Sequence, residues 1–116
     1  QLRDWIHVED HVRALKIISQ KGKIGETYNI GSNNLKKNID LARIICKYLN
    51  SISHNKKINY LDYIIFVKDR LGHDFKYAIN TSKINKKLKW KTKINFKEGL
   101  YKTVDWYIKN QNKGSR

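Results

Sequence analysis

The first thirty residues constrain the fold more than any other part of the chain. Asp4-Trp5-Ile6-His7-Val8 is a short extended run, and Val12, Leu15 and Ile18 then recur at helical spacing. Glu26-Thr27-Tyr28-Asn29-Ile30 is a second run, β-branched and aromatic, ending at Gly31. Gly22 and Gly25 break the helix between them, and Glu9 and Asp10 fall in its first turn, where the helix dipole favours acids. Strand, crossover helix and strand normally form a parallel pair inside a larger sheet whose two faces are both covered. Two short strands alone do not hold. The pattern predicts an α/β chain whose remaining sheet lies upstream.

Size points the same way. A chain of 116 residues buries roughly two thirds of the surface it exposes when unfolded, which suffices for one modest core. It does not suffice for a cofactor domain and a substrate domain together. The chain opens on Gln1 and contains no methionine or proline, and it reads as a fragment of a longer protein. No apolar run approaches the roughly 20 residues that cross a bilayer, the longest being Tyr63 to Val67, so no membrane is expected and the location is read as cytoplasmic. The single Cys46 has no local Cys or His partner and reads as a small buried hydrophobe.

A formal charge of +15 raises nucleic acid as a partner. Against this, Lys, Ile and Asn together supply 48 residues spread evenly along the chain, a compositional bias rather than a footprint. Only Lys83, Lys86, Lys87, Lys89, Lys91 and Lys93 crowd one segment. No nucleic acid is therefore expected as a partner.

Farther along, Asn38 reads as the N-cap of a helix carrying Leu41, Ile44, Ile45, Tyr48 and Leu49 and ending near Asn50. Tyr63 to Val67 reads as another extended run, followed by the polar loop Asp69-Arg70-Leu71-Gly72-His73-Asp74. Thr81 or Ser82 caps a short helix through Leu88, which Lys89-Trp90 closes. Asn95-x-x-Glu98 resembles a capping box before a last helix with Phe96, Leu100, Val104, Tyr107 and Ile108 in one stripe. His7 and His11 stand four apart, but Glu9 is misplaced for a His-Glu-x-x-His metal pair, and no metal is expected. Gly22-Lys23-Ile24-Gly25 follows a helix and has Tyr28 where a third glycine belongs, so it reads as a turn and not as a phosphate loop.

Three segments carry more than local structure: Arg3-Asp4-Trp5 with Val8-Glu9-Asp10-His11, then Tyr28-Asn29-Ile30-Gly31, then Asp69 to Asp74 with Lys76 to Asn80. With Ser82-Lys83 and the later Trp90, they resemble the carboxy-terminal third of the extended short-chain dehydrogenases that act on nucleotide sugars, and among these the dTDP-glucose 4,6-dehydratases. The resemblance implies the end of a Rossmann-type α/β enzyme, with residues 1–31 as the last strand-helix-strand of the Rossmann sheet and 32–116 as a small mixed nucleotide-sugar-binding lobe. It implies a lyase that uses NAD, bound by a missing upstream domain, to oxidise the sugar at C4, eliminate water across C5 and C6, and return the hydride to C6. The partner would be a dTDP-sugar, and the complete enzyme a homodimer. A UDP-sugar epimerase or decarboxylase is the neighbouring possibility.

No tyrosine is followed four positions later by lysine, so the proton-relay pair of the family is absent from this sequence and no catalytic residue is assigned. The resemblance instead assigns substrate contacts to Arg3, Asn38, Asp69, Arg70, Leu71, Gly72 and His73. Two arginines suit a diphosphate, because the guanidinium fork makes paired hydrogen bonds that an ammonium cannot. Leu71 departs from the family, which has proline there, and leaves the gripping loop less constrained.

Overall fold

The computed structural model describes residues 2–72 and 78–114. In chain order they form β1 (Leu2–Asp4), α1 (Val8–Lys21), β2 (Leu35–Lys37), α2 (Asn38–Ile52), a 3₁₀ turn (Tyr60–Tyr63), α3 (Ser82–Leu88) and α4 (Phe96–Gly114).

The strands differ from the sequence expectation. β1 and β2 pair antiparallel, with Leu2 opposite Lys37, Arg3 opposite Lys36 and Asp4 opposite Leu35. The run from Asp4 to Val8 leaves the ladder after Asp4, and Glu26 to Ile30 forms no strand. Two short parallel strands do not hold without further strands beside them, and among the described residues the sheet has only β1 and β2. Tyr63 to Val67 likewise makes no ladder: it starts in the 3₁₀ turn, and Ile65, Phe66 and Val67 stand 78–79% exposed. Strand propensity is realised only on a surface that another element half-buries.

α1 starts one residue after His7, whose imidazole Nδ1 accepts the Glu9 N–H at 3.1 Å and caps the helix. The histidine therefore serves the backbone and lies outside the helix that carries His11. Ala14 is fully buried on this helix, with Ile17 and Ile18 packed beside it, against Ile84 of α3 and Trp90. The predicted apolar stripe is only partly used: Ile18 packs beside the core, while Val12 and Leu15, like Val8 before them, remain more than half exposed.

α3 has only seven residues and would not persist alone. The Asn80 side chain accepts the Ser82 N–H at 2.9 Å at its start, and Lys89 adopts a left-handed φ of 56° at its end. Those two turns deliver Ile84 and Trp90 to the core.

Asp10 joins the halves of the chain. Its buried carboxylate accepts the backbone N–H groups of Lys93 and Ile94 at 3.0 and 3.1 Å, and the Arg13 guanidinium at 3.2 Å. Burial pushes its pKa up, but the two N–H groups and Arg13 outweigh that and hold it below the ordinary 3.8. Just beyond, Asn95 accepts the N–H groups of Lys97 and Glu98 at 3.0 and 3.4 Å, the predicted cap of α4. α4 then lies on α2, where Tyr48 and Tyr101 stack at 4.1 Å and the Tyr48 hydroxyl donates to Asp105 at 2.6 Å. That bond raises the phenol's pKa. Cys46 is half-buried on α2. Among the described residues no helix is long and apolar enough to cross a membrane.

Candidate functional site

The β1–β2 pair brings the first two expected contacts onto adjoining backbone. Arg3, half-buried, faces Lys36 across the ladder, two residues before Asn38. Its Nη1 donates to the Leu2 carbonyl at 2.9 Å. Asn38 is the first helical residue of α2 and not its cap: Lys37 holds the cap position, with no side-chain hydrogen bond. The ladder ends at Lys37, so the chain turns into the helix one residue earlier than the sequence suggests. The Asn38 side chain is thereby relieved of capping and stands exposed.

A polar hub lies beside this pair, and the sequence alone does not reveal it. The Asp4 carboxylate accepts the N–H groups of Ser32, Asn33 and Asn34 at 3.1 to 3.3 Å, and the Ser32 hydroxyl also donates to it. Asn33 has a φ of 58°, which helps turn successive N–H groups toward one anion. Gly31 makes the approach possible: a Cβ there would meet Asp4 Oδ2 at 2.5 Å and Ile79 at 3.2 Å. A glycine after the Tyr-Asn-Ile run was the available signal; its partner Asp4 lies far away in sequence.

The third expected group is the loop from Asp69 to His73. Asp69, Arg70, Leu71 and Gly72 are all exposed, Leu71 at 99%. His73 lies outside the described residues. The chain returns from this loop through Ile79 onto Gly31, and the Thr81 hydroxyl accepts from the Asn33 amide at 2.9 Å. Arg3, Asn38 and the loop's return are thus tied to one turn, residues 31–34.

Gly72 has a φ of 74°, which suits the third position of a type II turn, where the preceding residue is often proline. Leu71→Pro is therefore expected to stabilise the chain by about 0.4 to 1 kcal/mol, by restricting the unfolded loop. A shift of the denaturation midpoint to higher urea checks it; a lower midpoint would mean that the residue 71 N–H or its φ is needed as it stands.

A half-open cleft of about 400 Å³ lies between the β1–α1 junction, α2 and the start of α4, lined by Trp5, His7, Leu41, Phe96 and Leu100 and bordered by Ser32 and Asn34 of the hub. It contains no arginine or lysine and none of the expected contacts. Its lining does not suit a diphosphate. A depression of about 450 Å³ between His11, Tyr28 to Ile30 and Ala78 to Asn80 borders the returning chain. NAD does not fit the residues present: Gly22 ends α1 instead of opening a helix, and Gly25 sits in open space. In the lysine-rich segment, Lys83 is engaged locally with Glu26 at 2.6 Å and over the Tyr28 ring at 4.8 Å. The Glu26 carboxyl is held below its ordinary value by that bond.

The family model described as GDP-mannose 4,6 dehydratase matches residues 1–103. The chain belongs to this family. Among curated members, the dTDP-glucose 4,6-dehydratase of Shigella flexneri is 50% identical over 112 residues, covering 97% of this chain and 31% of the relative. The structure of a dTDP-glucose 4,6-dehydratase from Bacillus anthracis, solved in complex with NAD, is 40% identical with a TM-score of 0.79, covering 97% of this chain and 33% of its own. One from Streptomyces venezuelae, also with NAD bound, is 30% identical with a TM-score of 0.83 over 97% of this chain and 32% of its own. The chain thus spans about a third of the length of these family members. Its fold is that of part of a Rossmann-type nucleotide-sugar enzyme.

Proposed function

We propose that the chain is the nucleotide-sugar-binding lobe of a dTDP-glucose 4,6-dehydratase, converting dTDP-glucose to dTDP-4-keto-6-deoxyglucose only together with an NAD-binding part. The observation that carries this reading is 50% identity over nearly the whole chain to an enzyme of that name; the motif resemblance assigns Arg3, Asn38 and Arg70 to substrate contact. In this reading residues 1–31 border the cofactor part and 32–116 grip the substrate. Arg3 and Arg70 face the diphosphate, Asn38 and Asp69 offer hydrogen bonds to sugar or base, Gly72 allows close backbone approach, and His73 donates or accepts toward ribose or phosphate. The complete enzyme would be a cytoplasmic homodimer. NAD, when bound by the other part, supplies the hydride acceptor; this lobe orients the substrate.

Calorimetric titration tests the reading. The chain is expected to bind dTDP, to bind UDP and GDP less tightly, and to turn over no dTDP-glucose when NAD is added. Arg70→Lys keeps the charge but loses the fork, and should weaken dTDP binding about tenfold. Preference for UDP would move the assignment to an epimerase or decarboxylase. Indifference to nucleotides, with steeply salt-dependent binding to duplex DNA, would replace it with a basic nucleic-acid module.

A further inference from the structure

We infer that Asp4 is a positioning residue for the nucleotide-sugar site: its carboxylate gathers residues 31–34 into one turn that sets Arg3, Asn38 and the returning end of the Arg70 loop relative to one another. The inference rests on the proposed function and extends it from contact residues to the group that places them.

The geometry has three parts. Asp4 follows Arg3 directly, so any movement of its side chain is passed to the backbone that carries the guanidinium. On one side its carboxylate accepts from Ser32, Asn33 and Asn34, which immediately precede β2 and hence Asn38. On the other side, Gly31 lies between the carboxylate and Ile79 with no room for a Cβ, and Asn33 donates to Thr81 at 2.9 Å. Residues 79 and 81 end the segment that begins with the Arg70 loop. The Ser32 hydroxyl lies within hydrogen-bond reach of both the Asp4 carboxylate and the Trp5 carbonyl, its one proton serving either, and the Trp5 indole donates to the Lys36 carbonyl at 3.3 Å, which locks β1 onto β2 a second time.

Three N–H groups converging on one oxygen pair form a concavity that accepts an anion. Here the chain fills it with its own carboxylate. Asparagine at position 4 would retain one acceptor but turn an amide donor toward N–H groups, and the turn would open without removing core volume. The core at Ala14, Ile84 and Trp90 is built from other residues.

The test is a double-mutant cycle on the 116-residue chain in its co-expressed complex with the remaining part of a dTDP-glucose 4,6-dehydratase, with dTDP as the probe and calorimetric affinity as the readout. Arg3→Lys is expected to lower affinity about tenfold in the wild-type background. Asp4→Asn should lower it about tenfold as well, with a thermal transition that stays cooperative. If Asp4 acts by placing Arg3, the two losses overlap: in the Asp4→Asn background, Arg3→Lys should cost less than about twofold more. Losses that multiply in full would overturn the positioning role. So would wild-type affinity in Asp4→Asn. Gly31→Ala displaces the same carboxylate without changing charge and should reproduce the loss and the overlap; it replaces Asp4→Asn in the cycle should that variant unfold. If the wild-type chain itself fails to bind dTDP, the proposed function falls and this inference with it.

Discussion

Asp10→Ala is expected to leave the chain largely unfolded at neutral pH. The carboxylate is 2% exposed and holds two backbone N–H groups and one guanidinium. Alanine strands all three, and loss of one partner of a buried, hydrogen-bonded charge costs about 3 to 5 kcal/mol. Set against a small domain's total of roughly 5 to 15 kcal/mol, and a core that among the described residues has three fully buried hydrophobic side chains, that loss is decisive. Asp10→Asn keeps an acceptor and should fall between wild type and alanine. The same carboxylate sets the acid limit. Its folded pKa lies below the ordinary 3.8, so its stabilisation is complete above the unfolded value of about 3.9 and is lost as pH falls through the folded one. Circular dichroism during urea unfolding at pH 7 and pH 3 measures both effects. An Asp10→Ala variant as stable as wild type would show that α4 is held in place by something else.

The second large effect concerns what the chain leaves uncovered. Val8, Val12 and Leu15 form a stripe along α1 at 67%, 56% and 52% exposure, and Ile65, Phe66 and Val67 stand near 80%. Apolar patches of this extent mark surfaces that another element covers. The relatives matched here carry about twice as much additional chain. The isolated 116 residues are therefore expected to bind a hydrophobic dye and to self-associate. Co-expression with the remaining part of a dTDP-glucose 4,6-dehydratase should abolish dye binding and give a soluble complex. A clean monomer with a sharp thermal transition and no dye binding would show that these faces need no partner.

Much of the helical structure was legible in local chemistry. Asn95 caps α4 as its spacing predicts, Lys89 and Trp90 close α3, and the glycine at 22 follows the end of α1. Each depends on residues within a few positions of one another. The strands were not legible, because a strand exists only through its partner. The β1–β2 pairing of Leu2 with Lys37 joins segments that share no sequence signature. The inward face of α1 was only partly legible: of Val12, Leu15 and Ile18 at helical spacing, Ile18 packs against the core, but the fully buried positions of the helix are Asp10 and Ala14. A buried acid looks polar until its N–H partners at Lys93 and Ile94 are known. The contact residues were readable only through the family resemblance, since Arg3, Asn38 and Arg70 have no periodicity. The Asp4 hub came from the structure alone.

The most direct measurement of the central claim is an amide spectrum of the ¹⁵N-labelled chain recorded during titration with dTDP. Saturable shifts are predicted at Arg3, across residues 32–38 and at residues 69–72, with the α3 amides unmoved. An unchanged spectrum, or shifts confined to the lysine-rich segment from Lys83 to Lys93, would contradict a nucleotide-sugar-binding lobe.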